Sequence, residues 1–221
     1  MKASILKWIA IASMLVDHMG ILLYRSGMPV EGYYIMRCIG RLAFPIFVFL
    51  LVEGFVYTKS FGKYVLQMFI FAVITEPLYD LFRYSELLSH GSNILFTFSL
   101  TLLVLYFLKK TDGRMGGRLG AIAFLLISVA VAYFLRFEYS WKCILIAVIL
   151  YVFRYNKALK LVSMSLVLLA DSSAVGLCSL LAIVPIALYN EERGKFPKWL
   201  GYVFYPLHLL VLVIIGGVIN V

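Results

Sequence analysis

Apolar stretches recur along almost the whole chain, each separated from the next by a few polar or basic residues. A helix needs roughly 17–25 mostly apolar residues to cross a bilayer, where its backbone must satisfy its own hydrogen bonds. The pattern therefore predicts an all-α, polytopic integral membrane protein with about nine transmembrane helices. Three windows are short, so eight to ten spans remain compatible. The windows lie near residues 4–24, 33–57, 64–82, 92–108, 119–135, 140–153, 159–170, 174–188 and 199–219.

Composition leaves little mass for anything outside the membrane. Of the 221 residues, 63% are hydrophobic and only 14% are charged, with a mean hydropathy of +0.98, which excludes an ordinary soluble domain. No linker or low-complexity tract divides the sequence, so we expect a single transmembrane domain over residues 1–221. Asp17 and His18 interrupt the first apolar run and no small-residue cleavage site follows it, so we expect this segment to be retained.

The basic residues predict an orientation with a cytoplasmic N-terminus, because cytoplasmic loops carry an excess of Lys and Arg. This assignment explains most of the net charge of +9 without a nucleic-acid partner. The outer segments would hold only Arg25, Arg83, Arg136 and Lys142. The inner segments would hold Lys2, Lys7, Lys59, Lys63, Lys109, Lys110, Arg114, Arg118, Arg154, Lys157, Lys160, Arg193, Lys195 and Lys198.

The cysteines do not predict a disulfide framework. The chain has three cysteines, an odd number, and all of them fall within apolar windows: Cys38, Cys143 and Cys178. Their positions in the sequence do not match the spacing of cysteines that bind a metal. We therefore expect three buried thiols and no metal.

Asp17 and His18 stand side by side in the first apolar window, although a carboxylate at the centre of a span costs roughly 2.5–3.5 kcal/mol of insertion free energy. Arg37 and Arg41 lie four residues apart on one face of the next window. Since the two windows form a hairpin, we expect Asp17 to contact Arg37 or Arg41. Neighbouring helical residues point about 100° apart, so Asp17 is not expected to orient the His18 ring. Asp17 is then a counterion and His18 the reagent.

In the predicted orientation, most of the other intramembrane polar groups fall toward the outer ends of their windows and indicate an outward-facing cavity. Glu53 and His208 lie deeper. Each charged group is also compatible with a scaffold ion pair, and His208 with a core histidine. The outer groups are Asp17, His18, Arg37, Arg41, Glu76, Asp80, His90, Asn93, Glu138 and Asp171. The basic, glycine-containing loop 109–118 fits a topogenic turn or a phosphate cradle.

Several motifs in this sequence resemble those of the TraX family of membrane acyltransferases. The resemblance runs from residue 4 to about 214 and is densest in the first hundred residues. At FEYSW (137–141), Glu138 stands where an aspartate is expected. The matching motifs are SMLVDHMG (13–20), RCIGRLAFPIF (37–47), LVEGF (51–55), TEPLYD (75–80), NILFT (93–97) and FYPLHL (204–209).

The resemblance implies an acyltransferase in the plasma (inner) membrane of a bacterium, similar to the F-pilin acetylase. Acetyl-CoA or another acyl-CoA would be the cytoplasmic donor. An amine or hydroxyl on a peptide, glycan or lipid would be the extracytoplasmic acceptor. A proton-coupled transporter or flippase, or a non-catalytic assembly subunit, remains an alternative, because ionisable intramembrane residues also mark proton paths or scaffold pairs.

The predicted site residues suit acyl transfer. His18 is expected to act as general base or acyl carrier beside Asp17, since imidazole titrates near pH 6.5. Arg37 or Arg41 would stabilise the thioester oxyanion. Direct attack on acyl-CoA and a relay through acylated His18 both remain open. The residues expected to bind substrate are Arg37, Arg41, Glu53, Glu76, Asp80, Asn93, Glu138, Tyr205 and His208.

Overall fold

The computed structural model describes residues 1–87, 91–111, 115–171, 173–197 and 199–218. Within these ranges the chain is helical, and its only strand-like feature is an isolated bridge between Ser92 and Phe137. A short 3₁₀ helix, Cys178–Ala182, lies between α9 and α10. The helices are α1 (Ala3–Arg25), α2 (Val30–Gly40), α3 (Ala43–Tyr57), α4 (Phe61–Tyr84), α5 (Ile94–Thr111), α6 (Met115–Phe134), α7 (Ser140–Val152), α8 (Lys157–Leu169), α9 (Ala174–Leu177), α10 (Ile183–Ala187) and α11 (Leu200–Val218).

The prediction of an all-α chain is confirmed for the described residues, and each apolar window falls on helix. Six helical segments are long and apolar enough to cross a bilayer. The segments of the three short windows are α7, α8 and the run from α9 to α10. Nine spans and a cytoplasmic N-terminus therefore stay predictions. The six long segments are Ala3–Arg25, Val30–Tyr57, Phe61–Tyr84, Ile94–Thr111, Gly117–Phe134 and Leu200–Val218.

The second apolar segment contains a break between α2 and α3, at Arg41 and Leu42. Pro45 explains the break, because its ring nitrogen cannot donate to the carbonyl of Arg41 and its ring crowds that carbonyl. The α2 segment is therefore only 11 residues long. The orientation of α2 therefore depends on its neighbours, which are α1, α9 and the 3₁₀ helix.

The chain divides into two compact units, and the first comprises residues 1–50 and 155–221. In this unit α1 and α2 pack as an antiparallel hairpin, with Gly20 against the Met36 side chain. The N-terminal segment is held by the stretch before α11, since Ala3 N donates to Glu192 O at 2.8 Å. Lys2 also hydrogen-bonds the Glu192 side chain, which lowers the pKa of that carboxyl.

The second unit comprises residues 51–154 and is organised around α5, which packs against α4, α6 and α7. Its core includes Val104 and Ile144, which are 1% and 0% exposed. Apolar side chains such as Leu126 and Ile127 remain exposed on α6. An apolar outer surface is the arrangement expected of helices that face lipid. The prediction of a single domain over residues 1–221 stays a prediction.

The cysteines require a correction. Cys38 and Cys178 form a disulfide between α2 and the 3₁₀ helix, with their Cα atoms 5.2 Å apart. The expectation of buried thiols is therefore wrong for these two residues. An apolar window shows that a cysteine lies in a helix but not which other helix it faces. The expectation is confirmed for Cys143, which is free and 0% exposed.

Membrane sidedness can be tested with two exposed positions of the first unit. We expect a Ser26→Cys variant to react with a membrane-impermeant maleimide from the extracytoplasmic side, because its segment carries few basic residues. A Lys157→Cys variant should react only after the membrane is permeabilised. Labelling would be measured in intact and permeabilised cells, with unsubstituted protein as the control. The reverse pattern would overturn the predicted orientation.

Candidate functional site

The predicted contact between Asp17 and an arginine of the second apolar segment is confirmed. Arg37 Nη1 donates to Asp17 Oδ2, and only 9% of the Arg37 side chain and 14% of the Asp17 side chain are exposed. The guanidinium also lies 5.9 Å from the ring centroid of Tyr33, one turn earlier in α2. This ion pair holds α1 against α2 where water is nearly excluded.

Gly40 makes the close approach of Asp17 possible. A Cβ atom built at Gly40 would overlap the Asp17 carboxylate and its Cβ. Gly40 therefore leaves the space that Asp17 occupies, as small residues do where helices approach closely. Arg41 follows at the break between α2 and α3 and is partly buried.

His18 contacts a second histidine, His208, in a helix far along the chain. Its Nδ1 lies 2.7 Å from Nε2 of His208 in α11. The two ring planes are nearly parallel, at 5°, and their centroids are 4.9 Å apart. His208 is only 5% exposed. The first and last long helices of the chain thus meet at this pair.

The hydrogen bonds around His208 define where its proton lies. His208 Nδ1 is 2.9 Å from the backbone carbonyl oxygen of Phe204, which only accepts, so Nδ1 must donate. In a neutral imidazole the other nitrogen then accepts, so His208 Nε2 accepts from Nδ1–H of His18. The lone pair of neutral His18 is consequently on Nε2. A histidine oriented in this way by a second group resembles the base of a catalytic relay.

The local structure of α11 positions His208. Phe204 and His208 are four residues apart on one helix face, and their rings stack with centroids 4.9 Å apart. The Tyr205 ring contacts His208 at 5.5 Å. Leu209 and Leu212, which follow His208 in α11, are only 0% and 4% exposed, so this part of the helix is buried. Aromatic packing and burial therefore hold the imidazole in place.

The second unit contains a separate polar cluster at the start of α5. Asn93 Nδ2 donates to Glu76 Oε2 at 2.5 Å and to the Ala72 carbonyl at 2.9 Å, while its backbone N–H also donates to Glu76. Asn93 Oδ1 in turn accepts from Leu95 N. These bonds satisfy groups at a helix N-terminus that would otherwise be buried without partners. Helix capping accounts for much of this cluster.

Glu138 and Asp80 lie in the same unit. Thr97 Oγ1 donates to the Glu138 carbonyl at 2.7 Å, and Glu138 N donates to Ser92 O at 3.0 Å. Asp80 is only 2% exposed. The backbone at Glu138 therefore anchors the segment before α7.

The predicted site residues thus fall into two groups. The first unit contains the Asp17–Arg37 ion pair and the His18–His208 pair. The Tyr205 ring contacts His208, and Arg41 lies four residues after Arg37. The second unit holds Glu53, which is half-buried in α3, together with Glu76, Asp80, Asn93 and Glu138. A single cavity lined by all of them stays a prediction.

Two earlier predictions lie partly or wholly outside the described residues. They are His90 and the central part of the glycine-containing loop, residues 112–114. Within the described ranges, no three His, Cys, Asp or Glu side chains converge as a metal site would require. The histidine pair has two ring nitrogens facing each other, which suits proton transfer.

Sequence reasoning missed the contact between His18 and His208. It placed His208 deeper in the membrane and apart from His18. One signal was present, because two histidines within apolar spans both need polar partners. It also missed the role of Gly40, which only the packing of α1 on α2 reveals.

Comparison with known proteins identifies the family. The model of the TraX protein family matches residues 2–216. The chain belongs to the TraX family. It is also 30% identical, over 94% of its length and 92% of the relative's, to the probable fimbrial assembly protein FimC, serogroup H1, of Dichelobacter nodosus. No solved structure matches this TraX family member.

The Asp17–Arg37 pair predicts a non-additive effect on stability. Asp17→Leu or Arg37→Met alone should lower the free energy of unfolding by about 3–5 kcal/mol, because each leaves an uncompensated buried charge. The double variant should recover much of that loss. SDS titration in mixed micelles would measure all three, with Lys2→Met in the exposed Lys2–Glu192 pair as a control of small effect. Additive losses would contradict a coupled pair.

Gly40→Ala should destabilise the hairpin of α1 and α2, because the added methyl group overlaps Asp17. Overpacking of this kind costs roughly 1–3 kcal/mol. The monodisperse fraction after heating, measured by size-exclusion chromatography, should fall at a lower temperature than for wild type. Gly217→Ala in α11 is the matched control, since nothing lies within 4 Å of a Cβ there. Equal stability of the two variants would exclude the proposed role of Gly40.

Proposed function

We propose that this TraX family protein is a membrane acyltransferase that moves an acyl group from cytoplasmic acyl-CoA, acetyl-CoA in the simplest case, to an amine or hydroxyl acceptor at the extracytoplasmic side. The observation that carries the proposal is the hydrogen-bonded series from the Phe204 carbonyl through His208 to His18. It orients the His18 ring through Nδ1, so that Nε2 is the ring nitrogen that would take the acceptor's proton. Family membership supports the same function.

The series of hydrogen bonds gives each histidine a role. As the acceptor nitrogen or oxygen attacks the thioester carbonyl carbon, His18 Nε2 takes the acceptor's proton. The positive charge then on His18 is stabilised through Nδ1–H by His208 Nε2, which the Phe204 carbonyl holds in that tautomer. When the carbon–sulfur bond breaks, His18 returns the proton to the leaving thiolate. Protons and charges balance without a further reactant.

Arg37 supplies fixed positive charge in the same part of α1 and α2. Its bond to Asp17 uses Nη1, and a guanidinium carries five N–H donors. The remaining donors suit a developing oxyanion, which is best stabilised by groups that need not reorganise. Asp17 would act by positioning Arg37. Transfer through acylated His18 would use the same Nε2 atom.

The name of the relative from Dichelobacter nodosus is the reason for proposing one class of acceptor. Because that protein is named for fimbrial assembly, we include a fimbrial subunit among the acceptors of this chain. The N-terminal amine of such a subunit provides the nucleophile that the reaction needs. A role in fimbrial assembly without catalysis is the second candidate, and the same relative favours it.

The test is transfer of label from radiolabelled acetyl-CoA to synthetic fimbrial-subunit peptides, amino sugars and aminophospholipids, using purified protein in nanodiscs. His18→Ala should lower the rate by roughly 10²–10⁴-fold, the usual contribution of a general base. His208→Leu should lower it less, because the base remains but its orientation is lost. His208→Gln, whose carbonyl can accept from His18, should recover part of the loss.

Gly217→Ala serves as the control for handling and folding, since it adds a methyl group in open space on the helix that carries His208. All variants would be compared at equal monodisperse amounts. Absence of label transfer with every acceptor would favour an assembly role, and proton or lipid flux instead would favour a transporter. A His208→Leu variant as active as wild type would refute the relay.

A further inference from the structure

The disulfide joins α2 to the 3₁₀ helix across 140 residues of sequence. Both cysteines are partly exposed, whereas Cys143 in the second unit is completely buried. A covalent link of this kind persists mainly in oxidising compartments such as the bacterial periplasm or the cell surface. The disulfide therefore favours the extracytoplasmic side of the membrane for the part of the first unit that contains Cys38 and Cys178.

Charge distribution leads independently to the same side. Cys38 lies near the start of the second apolar window and Cys178 near the start of the 174–188 window. The segments before these windows contain few basic residues, so the positive-inside rule places both starts on the extracytoplasmic side. The disulfide requires both cysteines to lie at one level, which agrees with this assignment.

The disulfide also lies next to the proposed site. Cys38 directly follows Arg37, which binds Asp17, the residue before His18. The helix that carries both residues is short and ends at the Arg41–Leu42 break. It contacts α1 through Gly40 and contacts the 3₁₀ helix through the disulfide. Cleaving that bond would remove the covalent restraint on the helix that carries Arg37.

We propose that the Cys38–Cys178 disulfide forms on the extracytoplasmic side and positions Arg37 for acyl transfer, so that the activity depends on oxidation of this pair. The role in transfer rests on the proposed function, whereas the sidedness does not. Oxidation removes two electrons and two protons from the thiols and passes them to an extracytoplasmic disulfide oxidant by thiol–disulfide exchange. A dithiol reductant such as dithiothreitol reverses the step.

The first experiment measures the redox state without reference to activity. Cells would be quenched with acid, and the denatured protein treated with maleimide-polyethylene glycol. One adduct per chain, on Cys143, is expected without reductant and three with it. In cells lacking extracytoplasmic disulfide oxidation, three adducts are expected without reductant. Three adducts from oxidising cells, or one adduct regardless of the oxidation pathway, would overturn the assignment.

The second experiment separates positioning from donor binding. Dithiothreitol treatment, Cys38→Ser and Cys178→Ser should each lower kcat by about tenfold or more, with the KM for acetyl-CoA changed less than about threefold. Cys143→Ser should retain both the wild-type rate and the loss on reduction. Unchanged kcat in both single variants would refute the positioning role. An inactive wild-type protein would instead count against the proposed function and leave the adduct counts to decide sidedness.

Discussion

The ion pair between Asp17 and Arg37 is the interaction on which the first unit depends. In an apolar environment neither charge is tolerable alone, so each defines where the other must be. The pair holds the short α2 against α1 and requires a glycine at position 40, because the Asp17 side chain occupies the space next to it. A charge that is costly to insert thus determines the register of a helical hairpin.

The histidine pair depends on that register. Asp17 and His18 are adjacent in α1, so their side chains leave the helix in different directions, one toward α2 and the other toward α11. One turn of α1 is therefore in contact with both partner helices. The ion pair supplies fixed charge and the histidines supply a transferable proton, and the two functions do not compete for the same atoms.

The sequence was sufficient for contacts between neighbouring segments and insufficient for distant ones. Asp17 and Arg37 were paired correctly because consecutive apolar windows joined by a short turn must run antiparallel. His18 and His208 are separated by 190 residues. Nothing in the spacing of apolar residues says which helix packs against α1. The same limit explains the error at Cys38 and Cys178, whose helices are also distant in sequence. The bonds from Asn93 to Glu76 were not predicted either, because hydropathy does not define where α5 begins.

The first unit is built from both ends of the chain, with residues 51–154 inserted between its halves. During synthesis, α1 and α2 leave the ribosome before residues 51–154, whereas the stretch that bonds Met1–Ser4 and the helix that carries His208 follow those residues. Until then, His18 lacks the partner that orients it. The candidate centre can therefore assemble only after residues 51–154 have been made, so the second unit is complete in sequence before the two histidines meet.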